Sequence, residues 1–228
     1  AARHMATIAH ALQHHYNGDP FQRIVYTESH DEVANGKARV VHEIAPGDSG
    51  QWAANKRSTL GAALALTAPG IPMLFQGQEF LEGEWFRDTA PLDWDQAADF
   101  RGIIRLYRDL IRLRRNQAGS TRGLTGRGIG VHRIDEAQNV LAFHRFAEGG
   151  AGDDVVVVVN LHHRAREVYR IGFPRPGLWP LRLNSDWQGY SSDFGDFASH
   201  DVEAGEGECD GMAWSGELGI GPYSVLIY

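Results

Sequence analysis

Two short β-branched and apolar runs, residues 23–27 and 71–75, flank a long Ala/Leu-rich segment, residues 53–68, that has no interior proline. A strand, a helix closed by Pro69-Gly70 and a second strand, in that order, predict a parallel α/β unit. Each run stops abruptly in polar sequence. Glu28-Ser29-His30-Asp31-Glu32 follows the first, and Gln76-Gly77-Gln78-Glu79 follows the second. In a parallel sheet both ends share one face, where α/β enzymes place their chemistry. His30 and Asp31 are therefore the first site candidates. Taken alone the pair reads as structural, with Asp31 capping the next element and His30 a satisfied loop histidine, because such neighbours are common.

The flanking sequence fits this unit. Residues 3–16 read as a helix with Met5, Ile8 and Leu12 on one face, and Asn17-Gly18-Asp19-Pro20 ends it in a turn. The chain opens inside that helical pattern without a methionine at position 1, as a piece cut within a larger fold would. Residues 34–37 and 45–50 mark a long irregular connection. After the second run a polar loop passes through Glu84, Trp85, Phe86, Arg87 and Asp88 to Leu92-Asp93-Trp94. Residues 100–116 then form an amphipathic helix, with Ile103, Ile104, Tyr107, Leu110, Ile111 and Arg114 at periods of three and four. Its arginines, at 101, 105, 108, 112, 114 and 115, read as a solvated face, because Asp99 and Asp109 are interleaved and the chain is acidic overall.

From Ser120 the texture changes to glycine punctuation between short strand-like runs, at 130–134, 140–146, 155–161, 167–171, 179–183 and 223–227. Such a series predicts an antiparallel sandwich. Residues 193–211, acidic and Gly-rich, read as a solvated loop within it. The predicted boundary falls near residues 117–121, giving one unit over 1–118 and another over 119–228.

Composition removes several function classes. A formal net charge of -7 argues against nucleic acid or an anionic membrane as partner. The single cysteine, Cys209, excludes an internal disulfide framework and fits a reducing, cytoplasmic compartment. No apolar run approaches the roughly 18 residues of a spanning helix. Gly126-Arg127-Gly128-Ile129-Gly130 lacks a phosphate-loop ending and reads as a turn. The adjacent pairs His14-His15 and His162-His163 point different ways in a regular element, so no metal and no cofactor is expected. No serine sits in a Gly-x-Ser-x-Gly elbow. Carboxylates beside Trp85, Phe86 and Trp94 suit a neutral polar ligand such as a sugar, whose ring faces stack on aromatics while its hydroxyls bond carboxylates. Each of those rings reads equally well as packing.

Ser29-His30-Asp31-Glu32-Val33-Ala34-Asn35-Gly36-Lys37, followed by Pro69-Gly70-Ile71-Pro72-Met73-Leu74-Phe75-Gln76-Gly77-Gln78-Glu79-Phe80, Glu84-Trp85 and Leu92-Asp93-Trp94, resembles the α-amylase family of glycoside hydrolases. Within that family it is most similar to 1,4-α-glucan branching enzymes. The resemblance implies an α/β plus all-β chain: the closing strand-helix units of a (β/α)8 barrel, then an antiparallel β-sandwich. It implies an α-glucan or malto-oligosaccharide substrate, with His30 binding a sugar hydroxyl and Asp31 the carboxylate that stabilises the transition state. Glu79, Trp85, Arg87 and Asp88 would line the substrate cleft. The family's nucleophile and general acid have no counterpart before Arg23, so this piece by itself is expected to be inactive. Amylase, oligo-glucosidase and trehalose-releasing activities stay open, as does a structural or carbohydrate-binding module. An incomplete barrel leaves a sheet edge and apolar helix faces uncovered, so either self-association or intimate packing on the sandwich is expected.

Overall fold

The structure, a computed structural model, describes residues 4–48 and 50–228; the start of the first predicted helix, at Arg3, and Ser49 in the connection lie outside the described residues. Helix α1, Met5–Gln13, buries Met5, Ala9 and Leu12. It has no side-chain cap of its own. Instead the carboxylate of Glu136, far along the chain, accepts from the backbone N–H groups of Met5 and Ala6 at 3.0 and 2.9 Å. Free N–H groups at a helix start need such an acceptor, and an anion there also complements the helix dipole.

Strand β1, Ile24–Val25, is followed by two short helices, α2 (His30–Val33) and α3 (Val40–Ile44), and then by the long α4, Trp52–Thr67. The connection expected to be irregular thus contains one short helix, α3. Strand β2, Ile71–Pro72, pairs parallel with β1, Ile24 opposite Ile71. Both strands are shorter than their sequence runs, since only residues facing a partner can form a ladder. Helix α5, Gln96–Asp99, leads into α6, Arg101–Arg114.

The remaining strands are β3 (Gly128–Asp135), β4 (Val140–Phe146), β5 (Val155–Asn160), β6 (Arg166–Phe173), β7 (Gly177–Trp179), β8 (Leu183–Asn184), β9 (Val202–Cys209), β10 (Met212–Ile220) and β11 (Ser224–Ile227). They form two antiparallel sheets, β3-β4-β5-β11-β8 and β6-β10-β9-β7. The predicted strand at 179–183 is in fact two strands, β7 and β8, in different sheets. Gly128 and Gly130, assigned to a turn, belong to β3.

The acidic segment at 193–211 is a more substantial correction. Its second half is β9, which pairs with β10, the longest strand in the sheets. Val202 and Ala204 point into the core while Glu203 and Gly205 face solvent, the two-residue period of a half-buried strand. Asp210 and Gly211 join the two strands, both with positive φ, 56° and 73°. That is the backbone of a type I′ hairpin turn, which Asp-Gly favours.

Strand β5, Val-Val-Val-Val-Val-Asn, is buried at every position and explains the layering. Val156 and Val158 pack with Tyr169, Ile171, Phe173 and Trp179 in the core between the sheets. Val155, Val157 and Val159 face the other way, into a core shared with Met5, Leu60, Leu66, Ile103 and Leu110 of the helices. The five-stranded sheet is therefore the middle of three layers, which is why its central strand carries no alternation. Burying a valine side chain contributes about 1.5–3 kcal/mol, so this one strand anchors both interfaces.

Candidate functional site

The site candidates sit where β1 gives way to α2. Ser29, in extended conformation, caps that turn, its Oγ accepting from Glu32 N at 3.4 Å. Ser29, rather than Asp31, is the capping residue. His30 and Asp31 are left on the first turn, with side chains 66% and 83% exposed and Nε2 to Oδ1 at 3.2 Å. Neither is spent on the fold.

What holds this turn is buried beneath it. The Glu28 carboxylate pairs with Arg39 at 2.9 Å, with both side chains almost fully buried, and also accepts from Val40 N at 2.7 Å. Arg39 donates onward to the carbonyls of Gln76 at 3.0 Å and Glu84 at 3.1 Å, and its guanidinium lies over the Phe75 ring. One cation thus ties together the ends of both strands and the loop beyond β2. A planar fork with five N–H groups suits this role, whereas a lysine would reach one partner at a time. Gln78 adds a second link, donating to Thr27 Oγ1 at 2.5 Å and accepting from Phe75 N.

The loop after β2 is drawn in beside α2. Phe86 N donates to Val33 O at 2.8 Å, and Ala34 and Phe86 form a parallel bridge. The Phe86 ring stands edge-on to Phe75 and to His30, at 5.5 and 6.4 Å between centroids. The next residue, Arg87, lies over the Trp85 ring at 5.0 Å and reaches the Glu84 carboxylate at 4.0 Å. Trp85, Arg87 and Gln76 line a 240 Å³ hollow. Beneath it the buried Glu82 accepts from the N–H groups of Glu84 and Asp93, fixing the loop's course.

The predicted residues are not all gathered together. His30, Phe86, Trp85 and Arg87 form one continuous surface. Glu79 is half-buried in a separate 490 Å³ hollow with Phe75, Tyr107 and Ile111, opening toward α6. Asp88 is exposed and lines neither hollow. Sequence reasoning missed Arg39 and Gln78, which position the loops; Glu28 lay within the polar stretch after the first strand, but nothing local marked it as buried. The rings of His162 and His163 stack at 4.2 Å, since they occupy a turn and not a regular element. Among the described residues no group of three or more His, Cys, Asp and Glu side chains could hold a metal ion, and no helix is long and apolar enough to cross a membrane.

Exposed His30 and Asp31 side chains thus lie at a strand end beside the Phe86 ring, in a chain whose remaining strands form an antiparallel sandwich. Residues 131–228 match the family described as alpha amylase, C-terminal all-beta domain. The 1,4-alpha-glucan branching enzyme GlgB of Burkholderia pseudomallei (strain 668) is 36% identical over 211 residues. That match covers 90% of this chain and 28% of the relative. GlgB of Pseudomonas fluorescens (strain Pf0-1) is 35% identical over 228 residues, covering 94% of this chain and 30% of the relative. The chain thus spans under a third of the length of these curated relatives. Its fold is similar to that of a pullulanase from Anoxybacillus sp. LM18-11 complexed with maltotetraose, with a TM-score of 0.65 at 17% identity over 97% of this chain and 30% of that one. A debranching enzyme from Nostoc punctiforme superimposes with a TM-score of 0.62 at 19% identity, over 97% of this chain and 38% of that one.

Proposed function

We propose that this chain contributes part of the active-site rim to a longer, retaining α-glucan enzyme that cleaves α-1,4-glucosidic bonds and transfers the glycan to form branches. The observation that carries this reading is the exposed His30–Asp31 pair, held on a buried Glu28–Arg39 ion pair, in a chain 36% identical over 211 residues to GlgB of B. pseudomallei. On this reading β1 and β2 with their helices, residues 1–118, close a (β/α)8 barrel, and residues 119–228 form its all-β companion. The protein is cytoplasmic.

The chemistry follows from the two side chains. His30 hydrogen-bonds a hydroxyl of the sugar whose glycosidic bond is broken. Asp31 accepts from the neighbouring ring hydroxyls, whose acidity rises as the ring gains oxocarbenium character. Bonds that strengthen in this way lower the barrier instead of merely tightening binding. Trp85 with Arg87 offers a platform for an adjoining glucose, and Glu79 and Asp88 bond glucan at greater distance. The nucleophile and general acid come from outside this chain, so the chain alone is inactive. The maltotetraose of the Anoxybacillus complex supports a glucan as ligand.

The test is Asp31→Asn in the longer enzyme. Turnover on amylose should fall by about 10²-fold or more, with KM changed far less, as when one preorganised electrostatic group is lost. Near-normal turnover would remove Asp31 from the mechanism. Product linkage decides the reaction: new α-1,6 bonds mean transfer, and rising reducing ends without them mean hydrolysis, as an amylase, oligo-glucosidase or trehalose-releasing enzyme would give. A purely carbohydrate-binding or structural role would leave both unchanged. Ile24 in β1, Tyr26 just after it and Ile71 in β2 are exposed, and we infer self-association of the isolated chain through them. Sedimentation as a monomer at all concentrations would refute it.

A further inference from the structure

A hollow of 610 Å³, lined by neither His30 nor Asp31, lies between α6 and the loop at residues 187–192. Arg101, Arg105, Arg108 and Arg112 line it from the helix. Intervals of four, three and four residues put all four guanidinium groups on one stripe. Arg112 is paired with Asp109 at 3.3 Å. Among the described residues, Arg101, Arg105 and Arg108 make no ion pair. Two carboxylates, Asp99 and Asp109, also face the hollow, and Asp109 is already engaged by Arg112 and by the Tyr190 hydroxyl at 3.0 Å. A concentration of unpaired cations on a chain of net charge -7 does not follow from composition.

The opposite wall is built, not draped. Gly102 meets the Tyr190 backbone so closely that a Cβ there would collide with the Tyr190 carbonyl. Arg105 lies over the Trp187 ring at 4.6 Å, and that ring meets Tyr190 edge-on at 5.1 Å. These contacts fix the loop and present Gln188, Ser191 and Ser192 to the hollow. A preformed concavity of this volume is within the range of small-molecule sites.

The geometry points to a binding site for a phosphorylated saccharide in this hollow, the phosphate monoester held by the arginine stripe and the sugar hydroxyls by Gln188, Ser191 and Ser192. Guanidinium groups bond phosphate oxygens bidentately and keep their charge at any physiological pH, so clustered arginines favour a dianion over a neutral glucan. Amide and hydroxyl side chains supply the donors and acceptors a sugar needs. The inference does not depend on the reaction proposed at His30 and Asp31, and its test uses no turnover.

Titration calorimetry on the full chain, at constant ionic strength, would compare glucose 6-phosphate, inorganic phosphate, sulfate and glucose. Glucose 6-phosphate should bind at least about fivefold more tightly than inorganic phosphate or sulfate. Arg101→Gln/Arg108→Gln removes two exposed charges without touching the packing of the loop, and should weaken glucose 6-phosphate at least about tenfold with an unchanged melting temperature. Gln188→Ala/Ser192→Ala should abolish the preference over inorganic phosphate while phosphate itself still binds. Equal affinity in the wild type and the double arginine variant would overturn the site. A preference that survives Gln188→Ala/Ser192→Ala, or no preference over sulfate, would overturn the saccharide assignment.

Discussion

Lys56 Nζ, on α4, lies 2.5 Å from Asp186 Oδ1, in the segment after β8, with both side chains fully buried. Asp186 also accepts from the N–H groups of Gly195 and Phe197, and Lys56 sits over the Phe194 ring. This ion pair joins the helical layer to the sandwich. Burial lowers the Lys56 pKa more than Asp186 raises it, so the lysine is costly to hold charged. Asp186→Asn should therefore destabilise the chain by about 3–5 kcal/mol, the cost of an uncompensated buried charge. Urea unfolding would measure it, and the loss should shrink at alkaline pH as Lys56 gives up its proton. Lys56→Met/Asp186→Leu, which removes both charges, should lose less than the single variant.

Arg39 predicts a coupled loss of order and activity. Arg39→Lys keeps the charge beside Glu28 but cannot span Gln76 O and Glu84 O together. In the longer enzyme it should lower turnover on amylose by about tenfold, because the rim carrying His30 and Phe86 loosens. Steady-state kinetics with a melting curve would separate the two effects. Wild-type turnover together with a lowered melting temperature would confine Arg39 to stability.

Arg145, on β4, is fully buried and donates to backbone carbonyls alone: Thr67 near the end of α4, and Leu124, Gly126 and Gly128 in the approach to β3. Arg114 does the same for Ala68 and Gly70, at 2.5 Å each. A cation at a helix C-terminus satisfies carbonyls that have no partner within the helix and complements the dipole. Burial pulls the Arg145 pKa down to about 9 and that of Arg114 to about 10. Arg145→Met should cost about 3–5 kcal/mol, read as a shift in urea midpoint, because several buried carbonyls lose their donor at once. A shift under about 1 kcal/mol would mean water replaces the guanidinium.

His132 gives the chain an acid sensitivity. Burial pushes its pKa from 6.5 to about 4, against the opposing pull of Asp210 and the Gly130 carbonyl, while His144 and Arg133 push the same way as burial. Between those two values the unfolded chain binds a proton that the folded chain refuses. Stability is therefore fully present above pH 6.5 and falls as pH drops toward 4, by up to about 3 kcal/mol from this group. Urea midpoints at several pH values would follow the fall. His132→Phe should remove that part of the slope, and an unchanged slope would assign it elsewhere.

Local chemistry in the sequence determined most of the elements. Met5, Ile8 and Leu12 recur at helical spacing in α1, Pro69-Gly70 ends α4, and short apolar runs between glycine-rich turns mark most of the strands from Val140 onward. The β9–β10 hairpin was equally legible, since Asp210-Gly211 is a strong turn signal between two alternating runs, but the acidic composition of 193–211 masked it. His30 and Asp31 follow a strand run but read alone as structural, and only the motif that resembles the α-amylase family singled them out; the structure leaves both exposed. Three things were decided only by tertiary structure. Arg39 became the tie between Glu28, Gln76 and Glu84, residues up to 45 positions from it in sequence. Arg114 left the solvated stripe for the end of α4, and the other α6 arginines acquired a facing wall at 187–192. The physical reason is common to all three. Helical and strand periodicity is written into neighbouring residues, whereas the partner of a buried charge is fixed by which surfaces the layers bring together.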